Sequence, residues 1–292
     1  MSEEYVVIGG KKVFVHHKKL NLDHAYCRLT EIKNLNTLVN LEILNLHNMN
    51  LSKIENLENL TELKVLSIGW NKLEEIEGLE KLINLEVLEI GENSLIEEIK
   101  GLDALTNLKR LWIPKGKITE IKGLENLEKL EYLLLDGNRI KKIQGLENLR
   151  NLKELYLAGN QIEEIRGLEN LQNLEVLNLS YNKITEIRGL DGLINLKYLS
   201  LSYNHIEEIK GFENLNSLEI LYLDDNDITK LWGLEPLYKL KKLSLARMAI
   251  DQLEAIKSLI NLRDINLYGN RLIPDSDPTI ISLKQRGISI LR

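Results

Sequence analysis

The chain has 292 residues, of which 28% are charged and 43% hydrophobic, and its formal net charge is −6. No apolar run reaches the roughly 18 residues that a membrane-spanning helix needs. Acidic and basic residues alternate and form no lysine–arginine cluster, which argues against nucleic acid or a membrane as the main partner. The single cysteine, Cys27, excludes an internal disulfide bond and favours a cytoplasmic location.

The N-terminal residues, MSEEYVVIGGKK, do not have the pattern of a signal peptide, because acidic residues come first and the apolar stretch is short. Two β-rich runs, at 5–8 and 11–15, flank Gly9 and Gly10 and predict a hairpin with a two-residue turn. Residues 20–38 resemble a degenerate first copy of the motif that follows, and Ile32, Leu35 and Leu38 match its second half. We therefore predict an N-terminal cap over residues 1–40 that covers the open end of an apolar stack.

Residues 41–272 contain eleven copies of one motif. The copies begin at Leu41, Leu63, Leu85, Leu108, Leu130, Leu152, Leu174, Leu196, Leu218, Leu240 and Leu262. Their period is 22 residues, with one extra residue in the third copy. Positions 4 and 6 have the spacing of a short strand, and the later apolar positions suit a turn with a short 3₁₀ or α segment. A fixed period of this kind predicts a solenoid, in which each repeat buries its apolar face against its neighbours.

Two further columns of the repeat predict structural roles. Position 9 is an asparagine in eight copies, at 71, 93, 138, 160, 182, 204, 226 and 270. A buried amide must be hydrogen-bonded, so we expect these side chains to bond the backbone of their own and the neighbouring repeat. Position 2 alternates between glutamate and lysine from Glu42 to Lys241. Adjacent strands would then pair opposite charges, which disfavours a register slip by one repeat.

The last segment, 273–292, predicts a C-terminal cap. Asp277 and Pro278 suit the N-cap and first position of a helix that reaches Arg286 and ends at Gly287. Residues 288–291 then predict a final short strand.

The 22-residue unit, L-x-x-L-x-L-x-x-N-x-I-x-x-I-x-G-L-x-x-L, resembles the SDS22-like class of leucine-rich repeats over roughly residues 20–272. This class includes the phosphatase-1 regulator SDS22, the spliceosomal U2 A-prime protein and bacterial internalins. The resemblance implies an α/β solenoid in the form of a right-handed horseshoe. A parallel β-sheet would line its concave face, and short 3₁₀ or α segments its convex face. The tail, DPTIISLKQRGISIL, resembles the caps of prokaryotic repeat proteins.

Nine of the thirteen tryptophans and tyrosines fall at positions 3, 5, 7 and 8, which we expect to face solvent on the concave side. Large amphipathic rings on such a surface are typical anchors of protein interfaces, and nearby aspartates would select a basic partner. Strands about 4.8 Å apart would let Trp112, Tyr132 and Tyr156 touch. The predicted partner-binding residues are Trp70, Trp112, Tyr132, Asp136, Tyr156, Tyr181, Tyr198, Tyr203, Tyr222, Asp224, Asp225 and Tyr268. Cross-strand packing without a partner is the alternative interpretation.

The sequence has no arrangement typical of an enzyme, a cofactor site or a metal site. It lacks a phosphate-binding glycine loop and a serine elbow. The group His16, His17, Asp23, His24 and Cys27 has no familiar zinc spacing. We therefore predict a monomeric, non-enzymatic scaffold that binds another protein on its concave face. A regulatory subunit of a phosphatase or other signalling enzyme, and a structural repeat domain without a partner, remain alternatives.

Overall fold

The computed structural model describes residues 4–270 and 273–292. These residues form two compact units, Met1–Arg139 and Ile140–Arg292. Each unit is a solenoid with one short parallel strand in each turn, which confirms the predicted fold class. The prediction of a terminal cap at 1–40, repeats at 41–272 and a second cap at 273–292 stays a prediction. Residues 1–3, 271 and 272, which it includes, lie outside the described residues.

The first unit begins with an antiparallel hairpin and continues as a parallel sheet. The hairpin consists of β1 (Tyr5–Ile8) and β2 (Lys11–Phe14), and Gly9 and Gly10 close it with positive φ angles. Two 3₁₀ helices, Leu29–Glu31 and Leu35–Thr37, lie between β3 and β4. The parallel strands pair in chain order as β3 (Lys19–Asn21), β4 (Ile43–Asn45), β5 (Val65–Ser67), β6 (Val87–Glu89), β7 (Arg110–Trp112) and β8 (Tyr132–Leu134).

The second unit carries a parallel sheet of seven strands. They pair in chain order as β9 (Glu154–Tyr156), β10 (Val176–Asn178), β11 (Tyr198–Ser200), β12 (Ile220–Tyr222), β13 (Lys242–Ser244), β14 (Asp264–Asn266) and β15 (Ser289–Leu291). A 3₁₀ helix spans Glu254–Ser258. The helix α1 (Pro278–Gln285) begins where the Asp277 carboxylate accepts the N–H of Thr279 at 2.7 Å.

The core of each turn comes from the apolar positions of the motif. In β10 the central Leu177 is fully buried, while Val176 and Asn178 on either side are half-buried. This alternation follows from the two-residue period of a strand. After the strand, the chain returns through single 3₁₀-type turns in most repeats. In one of them the N–H of Leu171 donates to the carbonyl of Leu168 at 3.0 Å.

The asparagine column lies inside the solenoid and is fully hydrogen-bonded. Asn182 donates to the carbonyls of Leu157 and Leu179 at 2.9 and 3.1 Å, and its own carbonyl accepts the N–H of Ile162 at 2.9 Å. Other asparagines of the column repeat this pattern, as Asn204 does with Ile184. Each amide therefore ties two turns together and satisfies backbone groups that would otherwise be buried without partners.

The alternating charges of position 2 form ion pairs between neighbouring strands. The ammonium of Lys197 lies 2.8 Å from the carboxylate of Glu175. Glu42 accepts hydrogen bonds from both Lys18 and Lys64, and these two bonds lower its pKa to about 2. The pairs are solvent-exposed, and each adds little to stability.

The glycine at position 16 is required by the close approach of successive turns. Gly189 has a φ of +71°, and a Cβ atom there would lie 2.4 Å from the carbonyl oxygen of Ile165.

We expect Gly189→Ala to lower the free energy of unfolding by about 2–3 kcal/mol, because it adds a backbone clash to the strain of a left-handed residue. Gly287 is the matched control, since it has the same conformation and no atom within 4 Å of its Cβ position. Gly287→Ala should cost only about 1 kcal/mol, and equal losses in chemical denaturation would contradict this explanation.

Candidate functional site

The second unit contains most of the predicted partner-binding residues, and three of them, Tyr156, Tyr198 and Tyr222, lie on the exposed side of its parallel sheet. We call this side the sheet surface; it is formed by positions 3 and 5 of the strands. Register places Val176, Tyr198 and Ile220 next to one another along position 3. Along position 5, Tyr156 lies beside Asn178, and Tyr222 lies two strands further on. These side chains are half-buried, so each of them is partly accessible to solvent.

Tyr198 and Tyr222 form the centre of the sheet surface. Their ring centroids are 5.6 Å apart and the planes are tilted by 52°. The ammonium of Lys242 lies 5.4 Å from the Tyr222 centroid, which is within the range of a cation–π contact. Burial raises the pKa of Tyr198, and the neighbouring Tyr222 raises it further. Tyr198 therefore stays neutral at physiological pH. Tyr156, near one end of the surface, donates its hydroxyl proton to Glu154 at 2.7 Å.

Position 8 has a left-handed backbone in every repeat. Its φ angles lie between +52° and +81° at Asn48, Trp70, Glu92, Lys115, Gly137, Gly159, Tyr181, Tyr203, Asp225, Arg247 and Gly269. Three repeats have glycine at this position, which adopts such angles without strain. Large side chains at this position lower the stability of the fold by about 1–2 kcal/mol each. Their presence therefore indicates a role that offsets the backbone strain.

Two of the left-handed residues, Tyr181 and Tyr203, stack on each other beside the sheet surface. Their centroids are 4.0 Å apart and their planes differ by 10°. Arg247 donates to the Tyr203 hydroxyl and forms an ion pair with Asp225. A hydrogen bond with Tyr181, burial and the Asp225 charge raise the pKa of Tyr203 to about 12. Tyr181 remains 55% exposed, so the stack offers a rigid aromatic edge to solvent.

Asp224, next to Asp225 in the chain, already has partners within the protein. Its carboxylate accepts hydrogen bonds from the hydroxyls of Ser202 and Ser244 and from the N–H of Ala246. Asn266 donates to the Ser244 hydroxyl at 2.9 Å and extends the network to β14. The structure therefore places Asp224, like the paired Asp225, in a network that holds the surface in place.

In the first unit the predicted residues are more dispersed. Register puts Trp112 beside Leu134, whereas Tyr132 pairs with Arg110, whose guanidinium lies 4.5 Å from the ring centroid. Trp112 and Tyr132 are therefore not directly opposite each other in the register, and their contact stays a prediction. Trp70 is at position 8, away from this pair, and is 62% exposed. The remaining two predicted residues also lie outside the strands: Asp136 at position 7 in the first unit and the exposed Tyr268 at position 7 in the second unit.

Trp232 is not among the predicted partner-binding residues, yet it is 59% exposed on a return segment of the second unit. It lies at position 15, where five other repeats have lysine or arginine, and that contrast could have indicated it from the sequence.

Within the described residues, no group of His, Cys, Asp and Glu side chains has the geometry of a metal site. In the same part of the chain, no helix is both long and apolar enough to cross a bilayer.

Comparison with known proteins gave one family model and several solved structures. The model for leucine-rich repeats in two copies matches residues 128–170, 150–192, 172–202 and 194–239. An internalin, inlF, of Listeria monocytogenes is 25% identical, with a TM-score of 0.77, and the match covers 94% of this chain and 86% of that one. An internalin C2 of the same species is 33% identical, with a TM-score of 0.60, over 64% of this chain and 82% of that one.

A leucine-rich repeat protein of Leptospira interrogans is similar in fold at 23% identity and a TM-score of 0.59, over 88% of this chain and 86% of that one. No curated protein matches the chain.

Proposed function

Since the chain belongs to the leucine-rich repeat proteins, which generally bind other proteins, we propose that it is a non-enzymatic scaffold that binds a partner protein on the sheet surface of its second unit and on the adjacent aromatic edge of Tyr181 and Tyr203. We also propose that its repeats are of the SDS22-like class and that it works in the cytoplasm as a monomer. The cytoplasmic part of the proposal rests on the single cysteine.

One observation carries the proposal: aromatic rings remain accessible beside the sheet at positions where the backbone favours glycine. Tyr181 and Tyr203 accept left-handed strain, and their stack exposes a flat edge. The neighbouring Tyr198 and Tyr222 add amphipathic rings on rigid strands. Rings of this kind lose little conformational entropy when they are buried by a partner, and they dominate the energy of many interfaces.

The charges around this surface refine the interpretation of the predicted aspartates. Asp225 is paired with Arg247, and Asp224 is hydrogen-bonded to two serines and a backbone N–H. Both carboxylates are already engaged within the chain. We therefore assign them to the support of the aromatic edge and not to the selection of a basic partner. Tyr156 remains a proposed anchor of the second unit. For the first unit, the proposal keeps Trp70, Trp112, Tyr132 and Asp136 as contacts of a separate surface.

The test is affinity capture from a native lysate followed by mass spectrometry. We expect wild type to retain a partner that the variant Tyr156→Ala, Tyr198→Ala, Tyr222→Ala loses, because alanine at an interface hot spot typically costs about 2 kcal/mol or more. The matched control is Tyr238→Ala with Ile260→Ala, which removes exposed apolar side chains outside the sheet surface. Equal retention by all three proteins would overturn the site. A retained phosphatase catalytic subunit would favour the regulatory alternative.

A further inference from the structure

A second feature, independent of the sheet surface, is a ladder of ion pairs on the return segments. A cation at position 15 of one repeat reaches the acidic residue at position 13 of the preceding repeat. Among the described residues, such pairs are Lys100–Glu75 at 2.9 Å, Lys122–Glu98 at 3.4 Å and Arg188–Glu164 at 3.3 Å. In these three places, a positive charge at position 15 lies opposite the acid of the preceding repeat.

Trp232 interrupts this ladder. It occupies position 15 of its repeat, and the acid at position 13 of the preceding repeat is Glu208. The Glu208 side chain is 77% exposed, and its salt-bridge partner among the described residues is Lys210 of its own repeat, at 3.8 Å. An indole ring therefore stands where a lysine or arginine would complete the pair. Its face can attract a cation through the ring quadrupole, and tryptophan is the best side chain for this contact.

The space beside the ring is a cavity of about 770 Å³ that Glu207, Glu208, Asp227, Lys230 and Trp232 help to line. The lining has three carboxylates and one ammonium, so it favours a positive ligand. In the described part of the chain, Lys230 forms no ion pair and lies over no aromatic ring. Two basic side chains outside the lining contact its carboxylates: His205 lies 3.7 Å from Asp227 and Lys210 lies 3.8 Å from Glu208.

We propose that Trp232 and Glu208 bind the head group of an alkylguanidinium, with the cation between the indole face and the carboxylate. The bound guanidinium replaces the missing cation of the ladder. Its planar shape matches both partners, because it stacks on aromatic faces and pairs with carboxylates in two-point geometry. Free small molecules and an arginine side chain of a partner protein share this chemistry. The affinity should be on the order of millimolar, because one cation–π contact and one exposed ion pair are individually weak.

The experiment follows the indole N–H signals of the ¹⁵N-labelled full chain by NMR during titration with N-acetylarginine methylamide. The chain has three tryptophans, so Trp70 and Trp112 serve as internal controls. We expect a saturable shift of the Trp232 signal alone and no shift with the neutral citrulline analogue. Glu208→Gln should weaken binding about threefold. A second titration uses ethylguanidinium. An affinity equal to that of N-acetylarginine methylamide indicates a site for any alkylguanidinium, and weaker binding indicates a site for an arginine within a polypeptide.

A second variant tests the site without removing the Glu208 carboxylate. Trp232→Lys restores the cation found in five other repeats, so it should fold and fill the site with its own ammonium. We expect the backbone signals of 207–209 to shift with ligand in wild type and not in this variant. The proposal is overturned if the Trp232 signal does not saturate. It is also overturned if citrulline acts like arginine, or if the lysine variant responds as wild type does.

Discussion

Replacing Asn182 by alanine will lower the free energy of unfolding by about 3 kcal/mol. The change leaves the buried N–H of Ile162 without an acceptor, and an orphaned buried donor costs about 1–3 kcal/mol. It also removes one of two amide donors from the carbonyls of Leu157 and Leu179, which keep Asn160 and Asn204 as partners. The two lost bonds add about 1 kcal/mol together. Chemical denaturation gives the total.

Asn195 is the matched control for this prediction. Its amide donates to the carbonyl of Gln172 at 2.9 Å, but the bond is solvent-exposed. Asn195→Ala should cost less than about 1 kcal/mol, because water replaces the lost partner. Hydrogen exchange adds a local measurement: the Ile162 amide should exchange faster in Asn182→Ala and be unchanged in Asn195→Ala. Equal losses from both substitutions would show that the buried column does not hold successive turns together.

Much of the fold could be predicted because one motif controls it. Strand positions follow from the L-x-L spacing, and the buried amides follow from the rule that an interior polar group needs partners. The two glycines between β1 and β2 were sufficient to place the hairpin turn. Each of these predictions depends on contacts within a repeat or with the next one, which the period itself specifies.

The surface was less predictable, because side-chain partners depend on three-dimensional detail that the period does not encode. Alternation along the strand indicated that Tyr198 and Tyr222 share a face, and their rings do meet. It could not show that Asp225 would be paired with Arg247. The left-handed backbone at position 8 was also hidden, although glycines at Gly137 and Gly159 were a signal for it.

The double variant Tyr181→Gly, Tyr203→Gly separates recognition from stability. Relief of strain at two left-handed residues contributes about 2–4 kcal/mol in total. The variant also loses the ring stack and the contacts of Arg247, and two glycines make the unfolded chain more flexible. Together these losses come to about 2–4 kcal/mol. We therefore expect stability within about 1 kcal/mol of wild type, whereas the matched variant Tyr181→Ala, Tyr203→Ala keeps the strain and is less stable.

The most direct measurement of the central claim combines this glycine variant with partner capture from the same preparation. If the aromatic edge serves recognition, the variant will unfold close to the wild-type temperature and will fail to retain the partner that wild type retains. If the rings serve only to pack neighbouring repeats, the variant will unfold at a clearly lower temperature and will retain the same proteins as wild type. That second result would contradict the account.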